Sequence, residues 1–161
     1  MILDVGCGST AHGSVNIDAF PKDRNQCGQE YNPKHIQNFV LADAHYLPFH
    51  DQTFDMVVCS HVLEHLHNPL QTLKEMRRVC KHKVILRVPS HFNLDESKAH
   101  IFSWDPLTLK NLLLLVFRKV NVEYTDRVSS GHGRLSKYMP FIIVVAGRLG
   151  FHTELYAHCQ K

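Results

Sequence analysis

The sequence predicts an α/β sandwich around a mainly parallel sheet. Short apolar runs alternate with stretches of helical periodicity, the order that parallel strands and their crossovers produce. Most of these runs are apolar on both faces, as strands covered from both sides are. The last run instead alternates apolar with polar residues, which suits an antiparallel or edge strand.

Seven runs read as strands. Met1–Val5, Val15–Ile17, Ile36–Leu41, Phe54–Cys59 and Lys83–Val88 come first, rich in Val, Ile, Leu and Phe. Ahead of the fifth, Leu70, Leu73, Met76, Arg77 and Cys80 follow helical spacing, with Asn68 placed to cap that helix and Pro69 to open it. Asp105-Pro106 opens a second helix expected to reach about Val116. Arg118–Tyr124 and Thr153–Cys159 are the sixth and seventh strands. Between them Lys137–Leu149 reads as helical, with Pro140 breaking its start. In the seventh strand Thr153, Leu155, Ala157 and Cys159 alternate with His152, Glu154, Tyr156 and His158.

Length and composition narrow the class. A chain of 161 residues, 44% apolar, is one domain (residues 1–161) with a real core. Its formal charge of +3 is dispersed, so nucleic acid is not indicated as a partner. Thirteen histidines make the charge sensitive to pH. The five cysteines, at 7, 27, 59, 80 and 159, form no C-x-x-C pair and are odd in number, which points to buried thiols in a reducing compartment. Asp4 interrupts the opening apolar residues, so no signal peptide is expected, and the runs Leu112–Phe117 and Pro140–Gly147 are too short to cross a membrane. A soluble, cytoplasmic protein is the expectation.

The stretch ILDVGCGSTAHGSVNID carries the first chemistry. A strand ends in Asp4-Val5, Gly6-Cys7-Gly8 follows, and the next strand ends in Asp18. Glycines there let the backbone approach a ligand, and an acid at a strand end suits ribose hydroxyls. Gly6-x-Gly8-x-x-Ala11 matches the dinucleotide fingerprint, whose mechanism needs a helix opening at the loop. The nine residues Gly6 to Ser14 leave no room for one, since they must return along the strand within roughly 30 Å of extended chain. The acid follows Gly8 by only ten residues, against about 20 in that fingerprint. A diphosphate cofactor is disfavoured; a nucleoside without phosphates is not.

LDVGCGS, then Asp18, then LADAHYLPFHDQTFDMVVCSHVLEHL, then VILRVPS together resemble class I S-adenosylmethionine-dependent methyltransferases of the small-molecule type, from Ile2 to about Arg127. The resemblance implies a three-layer Rossmann-like sandwich, with a mostly parallel seven-stranded sheet whose last strand is antiparallel. It implies S-adenosyl-L-methionine as cofactor. Gly6, Cys7 and Gly8 would line its methionine part, with Asp4 on the ammonium through water. Asp18 would hold the ribose diol, and Asp43 the adenine amino group beside the Ala44 amide. Ser60 and His61 would lie beneath the sulfonium. The competing reading of Asp18 and Asp43 is loop capping.

SHVLEHLHNP, Ser60 to Pro69, spells H-x-x-E-H, the inverted zinc-protease signature. That enzyme would need both histidines on one longer helix and a third acidic ligand, for which nothing singles out Glu123 or Glu154. The segment here follows a buried strand, so zinc hydrolysis is the remote alternative and no metal site is assigned. Glu64 is read as a capping or orienting group, and His67 as a packing residue. For methyl transfer His61 is the first candidate base and His65 the second, with His91 and His100 as alternatives from the substrate side. The Asp/Asn-Pro-Pro-aromatic and Pro-Cys signatures of base-directed enzymes are absent, so the methyl acceptor stays unidentified. The rival class is a degenerate module that binds cofactor or partner without turnover.

The chain departs from the family pattern. It opens on the first strand without the usual preceding helix, Ser9 stands where a third glycine is common, and Pro21–His35 reads as loop. Helices are therefore expected to be reduced on one face of the sheet. Uncovering 500 Å² of apolar surface there would forfeit on the order of 12 kcal/mol. Either Met139–Leu149 folds across that face or two copies pair on it, and a homodimer is expected. Three loops, Pro21–Lys34, His91–Trp104 and Ser129–Lys137, are the candidates for a substrate lid.

Overall fold

The computed structural model describes residues 1–21, 31–91, 99–126 and 153–161. The strands are β1 (Ile2–Val5), β2 (Val15–Asp18), β3 (Phe39–Leu41), β4 (Phe54–Ser60), β5 (Cys80–Pro89), β6 (Lys119–Asp126) and β7 (Thr153–Gln160). They form one sheet in the order β3-β2-β1-β4-β5-β7-β6. The first five pair in parallel, and β7 runs antiparallel to both β5 and β6. From β1 the chain steps outward to β2 and β3, then returns to β4 on the other side of β1. The carboxyl ends of β1 and β4 thus flank the crevice where open α/β sheets bind ligands.

Two helices pack on this sheet. The first, α1, spans Pro69–Val79; the Asn68 side chain accepts the Gln71 N–H at 3.1 Å and Pro69 sits in the first turn. Its buried residues, Pro69, Thr72, Leu73, Met76 and Val79, recur at helical spacing. The second, α2, spans Pro106–Leu114, with the Asp105 carboxylate accepting from the Leu107 and Thr108 amides. Leu109 and Leu113 enter the same core as Leu73 and Met76. That core takes alternate strand residues: Leu3 and Val5, Val57 and Cys59, Val84, Leu86 and Val88, Leu155, Ala157 and Cys159, all at most 2% exposed. Their opposite-facing neighbours Met56, Val58, Ile85, Tyr156 and His158 are only half-buried. One face is thus sealed by helices and the other is helix-poor among the described residues, as expected.

Several boundaries differ from the sequence reading. The third strand starts at Phe39, because Pro33–His35 forms a 3-10 turn and Asn38 takes a left-handed φ of 50°. The fifth begins at Cys80, directly from the end of α1, and its pairing with β4 is irregular between Phe54 and Met56. The seventh strand is antiparallel as its alternation suggested, yet it lies inside the sheet, and the edge belongs to β6. Alternation reports cover on one face and says nothing of lateral position. Residues 6–14 contain no helix. The expected helix Lys137–Leu149, the Ser129–Lys137 loop and His152 fall outside the described residues. No helix among the described residues is long and apolar enough to cross a membrane.

Candidate active site

At the β1/β4 switch point lies a cavity of about 780 Å³. Among its lining residues are all nine positions assigned to the cofactor from sequence: Asp4, Gly6, Cys7, Gly8, Asp18, Asp43, Ala44, Ser60 and His61. His65 lines it too.

The glycine turn is clamped to the end of β2. The Gly6 and Cys7 amides both donate to the Ile17 carbonyl, at 2.9 and 3.0 Å. Gly6 has φ 69°, and a Cβ there would stand 2.1 Å from Val62 Cγ2. Only glycine lets this turn lie against the segment after β4. Gly8 has φ 53° but faces open space: a Cβ there would meet nothing within 4 Å. The Asp18 carboxylate ties the turn to the next strand: Oδ2 accepts the Gly8 N–H at 3.1 Å and Oδ1 the Phe20 N–H at 2.8 Å. Each oxygen keeps a lone pair for a ligand.

Asp4 is 5% exposed. Its Oδ2 accepts the His12 amide at 2.8 Å. Burial pushes its carboxyl above the ordinary 3.8, opposed in part by that hydrogen bond. Cys7 is buried beside it, and desolvation with the charges of Asp18 and Asp4 pushes its thiol up to about 12. It is therefore a thiol at neutral pH, not a nucleophilic thiolate.

Asp43 accepts twice from His45 on Oδ1: from the amide at 2.9 Å and from ring Nδ1 at 2.7 Å. Burial alone would raise its pKa, but these bonds and the His45 charge outweigh it and hold the carboxyl low. The ring's other nitrogen, Nε2, is buried with no hydrogen-bond partner. His45 lines the cavity, and nothing in the sequence beyond its place in the D-x-H turn marks it.

His61 stands in a left-handed conformation, φ 55°, where β4 ends. Its amide donates to the Arg87 carbonyl at 3.0 Å, and its Nε2 meets Glu154 Oε1 at 3.0 Å. Nδ1 lies 3.5 Å from Glu64 Oε1. Hydrogen bonding to Glu154, then the longer contact with Glu64, pushes the imidazole pKa up to about 9 against the opposing cost of burial. Glu154 is 6% exposed and was not foreseen as a site residue. It reaches His61 from 93 positions away because β7 inserts beside β5, with Pro89 opposite Glu154.

Downstream of His61, Leu63–His65 is a single 3-10 turn. The two histidines of H-x-x-E-H thus do not share an α-helical face, the geometry the protease signature needs. His65 Nδ1 donates to the Ala99 carbonyl at 3.0 Å, which leaves the lone pair on Nε2. The His100 and His65 rings pack edge to face, with centroids 4.8 Å apart, while His91 is exposed and is absent from the cavity lining.

Comparisons with known proteins bear on the family and the fold. A family model described as "Methyltransferase domain" matches residues 3–88, more than half of the chain. Demethylmenaquinone methyltransferase of Staphylococcus haemolyticus is 37% identical over 92 residues, 49% of this chain and 38% of that enzyme. An uncharacterized protein of Methanocaldococcus jannaschii is 37% identical over 89 residues, 52% of this chain and 37% of that protein. The chain therefore spans well under half the length of these relatives. In three dimensions a SAM-dependent methyltransferase from Archaeoglobus fulgidus superposes with a TM-score of 0.67 at 20% identity, over 99% of this chain and 85% of that one. The chain belongs to the methyltransferase-domain family and has the fold of the S-adenosylmethionine-dependent methyltransferases.

Proposed function

We propose that this domain transfers a methyl group from S-adenosylmethionine to an acceptor by in-line displacement. The observation that carries the reading is the convergence on one cavity of nine residues, drawn from positions 4 to 61 and assigned from sequence alone. The residues fit the cofactor. Gly8 leaves space that a side chain would fill, Asp18 is held by two amides with lone pairs to spare, and His45 Nε2 is a buried polar atom wanting a partner. In this reading Asp18 takes the ribose diol, Asp43 and His45 the adenine edge beside Ala44, and Asp4 the ammonium. When bound, the cofactor supplies an electrophilic methyl group on a cationic sulfonium.

The chain's own contribution is alignment and exclusion of water. Ser60 and His61 form the wall assigned to the reacting end. Both ring nitrogens of His61 face carboxylates, so neither offers a lone pair to a substrate proton. We assign His61 the role of a donor that fixes Glu154 and shapes that wall, in place of the resting base expected from sequence. His61→Ala is expected to lower kcat about tenfold or more while changing cofactor affinity little; unchanged turnover removes it from the site. Calorimetry with S-adenosylhomocysteine tests the cofactor reading. Asp18→Ala is expected to weaken binding about tenfold or more, since hydrogen bonds to a charged group contribute about 1.5–3 kcal/mol. Wild-type protein that binds no cofactor overturns the proposal, and binding without turnover across an acceptor screen favours the non-catalytic module.

Two copies pairing across the helix-poor face complete the proposal, on the strength of the half-buried Met56, Val58, Ile85 and Tyr156. Sedimentation at micromolar concentration that finds only monomer rules pairing out. Four buried free thiols, Cys7, Cys59, Cys80 and Cys159, support a reducing, cytoplasmic setting.

A further inference from the structure

Glu64, His65 and His100 form a cluster to which the methyl-transfer reading gives no role beyond the contact of Glu64 with His61. One ligand atom from each lies within 4.8 Å of the others. Glu64 is 0% exposed, and neither carboxylate oxygen accepts a hydrogen bond. A carboxylate stripped of water in this way needs a facing cation. The nearest candidates are His61 Nδ1 at 3.5 Å and His65 Nε2 at 4.0 Å. His61, however, is already bonded to Glu154 at 3.0 Å, so its charge is divided between two carboxylates.

The cluster is braced from outside as metal sites are. The Ala99 carbonyl accepts from His65 Nδ1 at 3.0 Å, which fixes the tautomer and turns the Nε2 lone pair toward Glu64. Metal-ligating histidines are oriented by this same second hydrogen bond. His100 follows Ala99 directly, and the next two amides, of Ile101 and Phe102, donate to the Glu64 carbonyl at 2.8 and 3.1 Å. The backbone that carries His100 is thereby tied to the residue that supplies the carboxylate.

We propose that Glu64, His65 and His100 bind one divalent transition cation of the zinc class in the wall of the cavity. Two imidazoles and a carboxylate suit zinc, cobalt, iron or manganese, whereas magnesium prefers an all-oxygen shell. Ligand atoms in a tetrahedral zinc shell stand about 3.3 Å apart, so binding draws the side chains together by at most about 1.5 Å. Three protein ligands leave a coordination position for water or an acceptor oxygen. His65 lines the cavity, which puts the cation within reach of its contents. The site differs from an H-x-x-E-H hydrolase centre, which would use His61 and His65 as ligands and keep Glu64 free as a base.

The test needs neither cofactor nor acceptor, so its failure is separable from failure of the methyl-transfer reading. The full chain, stripped with chelator, is titrated with Zn²⁺ by calorimetry and with Co²⁺ by visible absorbance. The expected result is one equivalent bound, with cobalt d–d bands of a four- or five-coordinate centre. His100→Ala is expected to lower zinc affinity at least tenfold, as is Glu64→Gln. His82→Ala, at an exposed position near the start of β5, is expected to leave it unchanged. Should Glu64→Gln fail to fold, the half-buried His100 decides alone, with folding checked by thermal melting. No stoichiometric zinc binding by the wild-type chain, or equal affinity in His100→Ala, overturns the assignment.

Discussion

Gly6 and Gly8 share a left-handed backbone, yet their surroundings separate their roles. A Cβ on Gly6 would meet all three carbons of the stiff Val62 side chain, at 2.1 to 3.3 Å, whereas one on Gly8 meets nothing. Left-handed strain alone costs about 1–2 kcal/mol for a non-glycine residue. Gly6→Ala adds a forced shift of Val62 and is expected to destabilise the protein by about 3 kcal/mol, read as a lowered melting temperature. Gly8→Ala is expected to cost about 1 kcal/mol in stability and to act mainly on cofactor affinity, because its methyl enters the cavity. Equal melting losses in the two variants would refute this division. Asp4 makes a second prediction. Its carboxyl is pushed above 3.8, so the folded state holds the proton more tightly than the unfolded state does. The free protein therefore loses stability as pH rises from 3.8 through the folded value, and a cation bound beside Asp4 returns it. Affinity for S-adenosylhomocysteine, whose ammonium stays charged, is expected to rise through that window and level off above it. In Asp4→Asn the rise is expected to vanish; a persisting rise assigns the titration to another group.

At the level of elements, the loop that carries Asp43, Ala44 and His45 is held by side chains of α1, with Arg78 making the most bonds. Arg78 donates to the carbonyls of Leu47 and Phe49 at 2.9 and 2.7 Å, and to Glu75 and Asp51 at 2.7–2.9 Å. Glu75 closes the circuit by accepting the Leu47 amide at 2.9 Å. Such a set depends on the planar guanidinium; lysine offers the charge without the fork. Arg78→Lys is expected to lower stability by about 2 kcal/mol and to weaken cofactor binding through the loosened loop, as thermal melting and calorimetry would show. Full affinity in a destabilised variant would confine Arg78 to folding. The Asn68 cap serves the same helix from its other end, and Asn68→Ala is expected to cost about 1 kcal/mol with affinity unchanged. The cap was legible in the sequence because Asn-Pro before a helical repeat is a local signal. The Arg78 network was not, because its partners lie up to 31 positions away.

For the molecule as a whole, legibility follows the same division. The parallel half of the sheet shows in the sequence because its strands are apolar runs with apolar residues on both faces, and Asp4, Asp18 and Asp43 show because they end or follow such runs. The Glu154–His61 pair does not show, since it exists only through the place β7 takes. That strand is last in the described order of elements and last but one in the sheet. It pairs along β5 from Lys83 opposite Gln160 to Pro89 opposite Glu154, and along β6 from Lys119 opposite Gln160 to Asp126 opposite Thr153. Leu155, Ala157 and Cys159 also fill the helix-covered core, each 0% exposed. Removing β7 would therefore bare two ladder edges, open the core and unpair His61 from Glu154 together. A chain ending at residue 152 is expected to lose its cooperative melt and to expose hydrophobic surface to dye, because unpaired strand edges invite association. Removing Lys161 alone, whose ammonium donates to the Cys80 carbonyl at 3.3 Å, is expected to change stability by less than about 0.5 kcal/mol. If the shorter chain melts cooperatively near the wild-type temperature, β5 and β6 are stable without the strand between them. The site would then have to be assembled from the parallel half alone.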